Sequence, residues 1–435
     1  MKIPRAYYYM SLFEPLRSSL KLLTGAHKRN GRVQEFEKEY VSTFGNKNIS
    51  FVSHARTGLY YCLKSLNLPK GSEVLMTPIN IPDMVNMIRI CELKERFSDI
   101  RLDDYSIDLE DAKSKLTENT KVLFVTHLNG IVPDMEKIIA FCRENSLILL
   151  QDCTQNIGAK FKGRNLESFS DLSFSALCDL KVIHTHIGGV INSTSIEVKN
   201  KIDEIISKES CVLSISYFSR FLVEDMIAVI ILNKYIFSLF ISPVLNIFER
   251  LIGAEGVENF TKGKGLKIGP LYLLKGLFGG GGNVLKREIP KGMLYRYSNL
   301  QADIGLRRLK SYKILDEKRI LNSHTMYENL NCTGNQLALL REDAEHVFWK
   351  LPFRTDLIIP LQKYLSENGV DSAKSNLKCL NEIREFQSKD VTPVAHFLSM
   401  NTLYIPAHPY LSKREILKIS VLINEFFRKN SLARE

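Results

Sequence analysis

Between residues 49 and 193 the chain alternates between two hydrophobic rhythms. Short runs dense in apolar residues have the length and composition of strands: Ile49–Ser53, Glu73–Met76, Arg96–Ile100, Lys121–His127, Leu147–Cys153, Leu172–Leu177 and Gly189–Asn192. Stretches such as Thr57–Leu66 and Met135–Asn145 lie between them, with apolar residues at spacings of three and four, as on a helix with one apolar face. Strand–helix alternation of this kind predicts a mainly parallel sheet covered by helices on both faces. Ligands of such sheets bind at the carboxyl ends of the strands, so chemistry is sought just after each strand.

The rhythm breaks after residue 204. Residues 205–285 read as an apolar helical and then glycine-rich insertion, ending near the run Gly279–Gly282. That run lacks the Lys-Ser/Thr ending of a phosphate loop and reads as a flexible connection. A long helical pattern resumes at Asn299 (Ala302, Leu306, Leu309, Tyr312, Leu315), and the tail mixes strands and helices. The expected organisation is a basic N-terminal segment (1–30), a large domain (31–204), the insertion (205–285) and a small α+β domain (286–435). Within the insertion, the apolar stretches Met226–Leu232 and Tyr235–Phe248 are split by Lys234 and interrupted by Pro243. Neither reaches the roughly 18–20 residues that span a bilayer. They read as buried or amphipathic helices packed within the protein, with a peripheral membrane contact through 211–252 as the alternative.

Composition is that of a globular protein, 45% hydrophobic and 25% charged over 435 residues, enough for two or three domains. The net charge of +11 is uneven: residues 1–33 carry seven Lys/Arg against the single acid Glu14. A basic balance favours anionic partners, and no nucleic-acid motif accompanies it, so phosphorylated small molecules or a lipid surface are preferred to nucleic acid. The eight cysteines form no CxxC pair and no metal spacing, as expected of reduced thiols in a cytoplasmic protein. The N-terminus shows no signal-peptide pattern.

Three strand ends carry candidate chemistry. Asp152 follows four apolar strand residues, where a buried carboxylate needs a cationic or hydrogen-bonding partner such as a pyridinium nitrogen. The plain alternative is a helix cap or a salt bridge. Lys181 lies beyond a strand among apolar residues and before Gly188-Gly189; a partly desolvated amine loses its proton more readily and forms imines with carbonyls. The plain alternative is a surface lysine. Ser53-His-Ala-Arg-Thr-Gly58 follows a strand and opens a helix, whose first N–H groups suit a phosphate to which Arg56 adds a contact. The plain alternative is N-capping by Ser53 or Thr57. A phosphate cradle, a ring-nitrogen acid and an imine lysine are together the parts of a pyridoxal-phosphate site.

The chain resembles the DegT/DnrJ/EryC1/StrS family of pyridoxal-phosphate-dependent sugar aminotransferases. The resemblance rests on collinear segments: Gly31-Arg-Val-Gln-Glu-Phe-Glu37, Arg56-Thr-Gly-Leu-Tyr60, Asp104-Tyr-Ser-Ile-Asp108, His127-Leu-Asn-Gly130, Gln151-Asp-Cys-Thr-Gln155, Asp171 ten residues before Lys181, and Tyr295-Arg296 with Leu300-Gln-Ala302. It implies a type I pyridoxal-phosphate transferase fold, a mainly parallel seven-stranded sheet flanked by helices with a smaller α+β C-terminal domain. It also implies a homodimer with active sites at the subunit interface. By the same resemblance Lys181 is the cofactor lysine and proton shuttle, Asp152 the ring-nitrogen partner, and Gln155 the neighbour of the ring hydroxyl. Ala55 and Arg56 match the phosphate-binding pair.

The chain departs from the family at Ala176, where a phosphate-binding serine is usual and Ser175 is the expected substitute. Ile81 stands near the place of the ring-stacking aromatic, and Leu294 near that of an asparagine reaching the partner's cofactor. His184-Thr-His-Ile187 replaces small residues and an acid. The expected activity is amino transfer, with glutamate as donor, to a keto-sugar carried on a nucleotide. Sugar dehydration, whose family enzymes carry histidine in place of the lysine, and a non-catalytic binding role are the alternatives. No metal is expected.

Overall fold

The computed structural model of the chain describes residues 2–25, 31–178, 180–241, 243, 244, 247, 285–290, 293–331, 336–375 and 377–432. Gly279–Gly282 lies outside them. Seven strands form the central sheet: β1 (Asn48–Val52), β2 (Glu73–Met76), β3 (Lys94–Phe97), β4 (Thr120–Thr126), β5 (Ile148–Asp152), β6 (Leu172–Ala176) and β7 (Gly189–Ser193). Their spatial order is β1-β7-β6-β5-β4-β2-β3. Neighbours from β6 to β3 pair in parallel, while β7 runs antiparallel to both β1 and β6.

Both faces of the sheet are covered, which is why its strands read as near-continuous apolar runs. On β4, Val122 and Phe124 point into one core, and Leu123 and Val125 into the other. The first core is closed by α3 (Ala55–Leu66) and α4 (Pro82–Ile90); the second by α6 (Met135–Glu144), which contributes Met135, Ile138 and Phe141. Between them in sequence stands the short α5 (Leu109–Ser114), capped by the Asp108 carboxylate. Beyond β1, the helix α2 (Arg32–Phe44) packs with Tyr297 and Leu306 over Phe36, Tyr40 and Phe51.

The edge strand β3 begins and ends earlier than its sequence pattern suggests. Lys94, Glu95 and Arg96 carry it as an open edge, and Ile100 instead bridges to Ile107 outside the strand.

After β7 come α7 (Ile196–Glu209) and, inside the insertion, α8 (Ile215–Ile231). The helix α8 buries Phe218, Leu222, Asp225 and Ala228, and leaves Ile215, Val223 and Ile230 in solvent. The expectation of packing within the protein thus holds for one side of this helix only. Beyond it, Tyr235, Leu239 and Phe240 are exposed. No helix among the described residues is long and apolar enough to cross a membrane.

A long helix, α9 (Asn299–Asn329), leads to the C-terminal part, where β8 (Leu351–Arg354), β9 (Ala373–Lys374) and β10 (Thr402–Ile405) form an antiparallel sheet in the order β8-β10-β9. The helices α10 (Ile358–Glu367) and α12 (Lys413–Leu432) close its core over Leu351, Phe353, Leu403 and Ile405, and α11 (Pro393–Asn401) precedes β10. The N-terminal segment is stitched to this part: Ile3 bridges Val370, and Arg5 forms a two-pronged ion pair with Asp371 at 2.6 and 2.7 Å.

Candidate active site

Asp152 ends β5 and is 5% exposed. One carboxylate oxygen accepts the backbone N–H of Thr154 at 2.9 Å. Burial pushes its pKa up, while the Thr154 hydrogen bonds and the positive charge of Lys181 pull the other way. The residue sequence analysis paired with it therefore acts on it electrostatically in the fold.

Lys181 sits in the loop between β6 and β7, 7% exposed, directly after Leu180, whose φ of +60° is unusual for a bulky side chain. Residues 182–187 are all buried. Thr185 ties the loop back to the end of β6, its backbone N–H donating to the Leu177 carbonyl at 3.0 Å and its hydroxyl to the same oxygen at 2.9 Å. The Lys181 amine lies 3.6 Å from the centroid of the Trp349 indole. The indole N–H donates to the Leu180 carbonyl at 3.0 Å, so the ring is fixed to the lysine's own loop.

The turn after β4 completes the wall. Gly130 has a φ of +81°, and a Cβ there would stand 2.4 Å from the Phe348 nitrogen and 2.5 Å from that of Trp349. Only glycine lets this turn and the tryptophan segment meet. The preceding Asn129 donates its backbone N–H to the Gln155 side chain at 2.6 Å, which positions Gln155 beside Asp152 in sequence and against this turn in space. His127, also on the turn, contacts the Gln151 side chain at 2.6 Å through Nε2, and burial lowers its pKa to about 4, leaving the ring neutral.

The first turn of α3 presents the backbone N–H groups of Ala55 and Arg56. Gly189 makes room for it: a Cβ would approach the Ala55 nitrogen to 2.9 Å. The Arg56 side chain departs from expectation. Its guanidinium pairs with Asp83, which Lys286 also contacts, so the clamp on phosphate expected of that side chain is replaced by an internal ion pair. Ser175 departs too. Phe174 and Ala176 face the α3 core, and Ser175, one residue out of phase, donates instead to Glu167 at 2.6 Å on the opposite side of the sheet. A one-residue step along a strand changes its face, so Ser175 does not replace the serine absent at Ala176.

The loop residues His184 and His186 reach the insertion. His186 contacts Asp225 of α8, Tyr8 donates to the same carboxylate, and His184 lies 3.8 Å from it. His186 also reaches Ser18 at 3.3 Å, on the N-terminal helix α1 (Phe13–Leu23). The insertion and the N-terminal segment thus grip the lysine loop from one side. Sequence reasoning assigned no role to Asp225, Tyr8, Trp349 or Lys350; the signal available for Trp349 was that it is the chain's single tryptophan.

Volume and chemistry part company here. A cleft of about 1030 Å³ on the C-terminal part, lined by residues including Arg354, Asp356, Glu425 and Arg428, contains none of these groups. Buried side-chain atoms with no hydrogen-bond partner occur throughout the described residues; those on loops at the carboxyl ends of β1 and β4 include His54 Nδ1, His127 Nδ1 and Asn129 Oδ1. Among the described residues no cluster suits a metal ion.

The mostly parallel seven-stranded α/β sheet flanked by helices is the type I pyridoxal-phosphate transferase fold; a buried acid ends one of its strands and a buried lysine follows the adjacent one. Residues 19–219 match the DegT/DnrJ/EryC1/StrS aminotransferase family. GDP-perosamine synthase of Vibrio cholerae is 27% identical over 167 residues, 38% of this chain and 46% of that protein. UDP-4-amino-4,6-dideoxy-N-acetyl-beta-L-altrosamine transaminase of Campylobacter jejuni is 28% identical over 194 residues, 43% and 50% of the two chains. The chain thus matches about half the length of these curated relatives. The crystal structure of the sugar aminotransferase CalS13 from Micromonospora echinospora superposes over 97% of this chain and 99% of its own with a TM-score of 0.70, at 16% identity.

The residues present fit the family's cofactor. Asp152 suits a protonated ring nitrogen, because its buried carboxylate already feels a positive charge and its second oxygen accepts no backbone donor among the described residues. Lys181 is an amine at the right depth, and the α3 N-terminus offers N–H groups to a phosphate.

Proposed function

We propose that the protein is a pyridoxal-phosphate-dependent aminotransferase that moves an amino group, from glutamate, to a keto-sugar carried on a nucleotide. The observation that carries this reading is that buried Asp152 ends one strand and buried Lys181 follows the parallel strand beside it, near enough for the lysine charge to act on the carboxylate. The cofactor, when bound, supplies an electron sink for the carbanion formed at the amino carbon. The chain supplies the rest. Asp152 would hold the ring nitrogen by a charge-assisted hydrogen bond and favour its protonated form. Lys181 Nζ would hold the cofactor and, as an amine, could carry a proton at the reacting carbon. The α3 N-terminus anchors the phosphate, and the Trp349 indole keeps water from the amine.

The substrate class is supported by what the relatives are named for, GDP- and UDP-linked amino sugars. The basic balance of +11 suits such anionic substrates. A sugar destined for a surface polysaccharide fits the same relatives. The test is transfer of ¹⁵N from labelled glutamate to a panel of nucleotide-linked 4- and 3-keto-sugars, read by mass spectrometry. Labelled amino sugar from the native chain and none from Lys181→Ala supports the reading; no transfer from glutamate to any keto-sugar counts against it. A cytoplasmic homodimer is the assembly implied by the family resemblance, and light scattering of the purified protein tests it.

A further inference from the structure

Trp349 separates two amines. Lys181 Nζ lies 3.6 Å from the centroid of its indole, and Lys350 Nζ lies 4.5 Å from it. The two amines are therefore no farther apart than the sum of those distances. Lys350 also stands 4.3 Å from the ring of Tyr404 on β10, so its ammonium is held between two aromatic faces. Aromatic faces attract a cation but supply no oxygen to accept its protons. Some other buried cations of the chain face carboxylates, as Arg319 does Asp316 and Arg307 does Glu14 at 2.8 Å, while Arg354 donates to the carbonyls of Leu102 and Leu337. Lys350 has no carboxylate partner among the described residues, and the nearby charges that act on it, Lys181 and Arg5, have its own sign.

A partly buried cation, without a counter-ion and beside a second amine, is an unfinished ion pair. We propose that Lys350 is the oxyanion anchor of this site, taking a carboxylate or phosphate of the substrate while Lys181 attends to the reacting carbon. The proposal rests on reading Lys181 as the cofactor lysine. The placement favours it. Lys350 immediately precedes β8 on the C-terminal part, and its neighbour Trp349 is clamped to the Lys181 loop, so an anion bound by Lys350 lies beside that loop. Burial, then the Lys181 charge, then the Arg5 charge lower the Lys350 pKa to about 7. The other groups facing it are Arg5, itself paired with Asp371, and the Tyr404 hydroxyl, which burial pushes up to about 12 and which therefore stays neutral. Lys350 loses its charge as pH rises through about 7, and anion binding is expected to weaken over the same interval.

Trp349, as the single tryptophan, makes the test direct. The cofactor-loaded full-length protein is titrated with glutarate, a dicarboxylate that cannot donate an amino group, and separately with uridine diphosphate, with tryptophan fluorescence and calorimetry as readouts. Lys350→Met, which fills the slot between the rings, is expected to weaken one of the two by about tenfold or more, with Lys350→Arg restoring most of the loss. Loss of glutarate binding assigns the anchor to the amino donor; loss of uridine diphosphate binding assigns it to the nucleotide. Native affinity for that ligand is expected to fall between pH 6 and pH 8.5, and that of Lys350→Met to stay flat. Unchanged affinity for both ligands in a folded, cofactor-loaded Lys350→Met overturns the proposal, as does failure of the native protein to bind either. A chain that never takes up the cofactor on Lys181 instead overturns the reading of function on which it rests.

Discussion

Two buried polar clusters flank the same strand, and they differ in one respect. On one side of β6, Glu167 accepts from Ser175 at 2.6 Å and from Asn46 at 2.5 Å, and its backbone carbonyl accepts from Asn192 at 3.1 Å. At the strand ends, Asp152 feels the charge of Lys181, and the loop after β4 carries His127 and Asn129, each with a buried atom that has no partner among the described residues. Burial raises the pKa of both acids. The Glu167 carboxylate is held by its own hydrogen bonds within the chain. On the function proposed above, the second cluster would receive a ligand with a cationic ring nitrogen and an anionic group, and that ligand, more than burial or pKa, would separate the functional acid from the structural one.

That contrast can be broken by substitution. The largest effect is expected from Lys181→Ala, which removes both the cofactor's attachment and the proton carrier; turnover should fall by about 10³-fold or more in a transamination assay. Next is Asp152→Asn, which keeps the shape but loses a charge-assisted hydrogen bond; a fall in turnover of about 10–100-fold with little change in melting temperature is expected. The mirror substitution, Glu167→Ala, should do the reverse. It leaves Ser175 and Asn46 unpaired and destabilises the chain by about 1–3 kcal/mol in denaturant titration, with turnover per folded molecule within about twofold of native. If Glu167→Ala abolished turnover in a folded protein, the distinction between the clusters would be lost.

A smaller effect sharpens the same point through pH. The folded-state pKa of Glu167 lies above its unfolded value, so folding favours its protonated form. Its stabilising contribution is full below the ordinary carboxylate value of about 4.3 and declines as pH rises from there to the folded pKa. Relative to Glu167→Gln, the native chain should therefore lose stability as pH rises through the mildly acidic range. A difference in melting temperature that does not change with pH would contradict this.

The sequence made the sheet legible because strands covered on both faces must be apolar at nearly every position, and turns or helices interrupt them. It failed at β3, an edge strand whose Lys94, Glu95 and Arg96 need no apolar cover. The burial of Asp152 was legible because it closes an apolar strand, whereas that of Lys181 depends on a loop folded back onto β6. Ser175 was misread because its face depends on a register that only the folded strand fixes, and Arg56 because its partner Asp83 lies 27 residues away. Trp349 and Lys350 reach the site from 168 and 169 residues beyond Lys181 in sequence, by a clamp between Gly130 and the tryptophan segment that no local pattern encodes.

The most direct measurement is to load the purified protein with pyridoxal phosphate, reduce it with borohydride, and map the modified peptide by mass spectrometry. The expected result is one phosphopyridoxyl group, on Lys181, with Asp152→Asn retaining the position at lower occupancy. A label on Lys350 or on a surface lysine, or no label at all, would contradict the account.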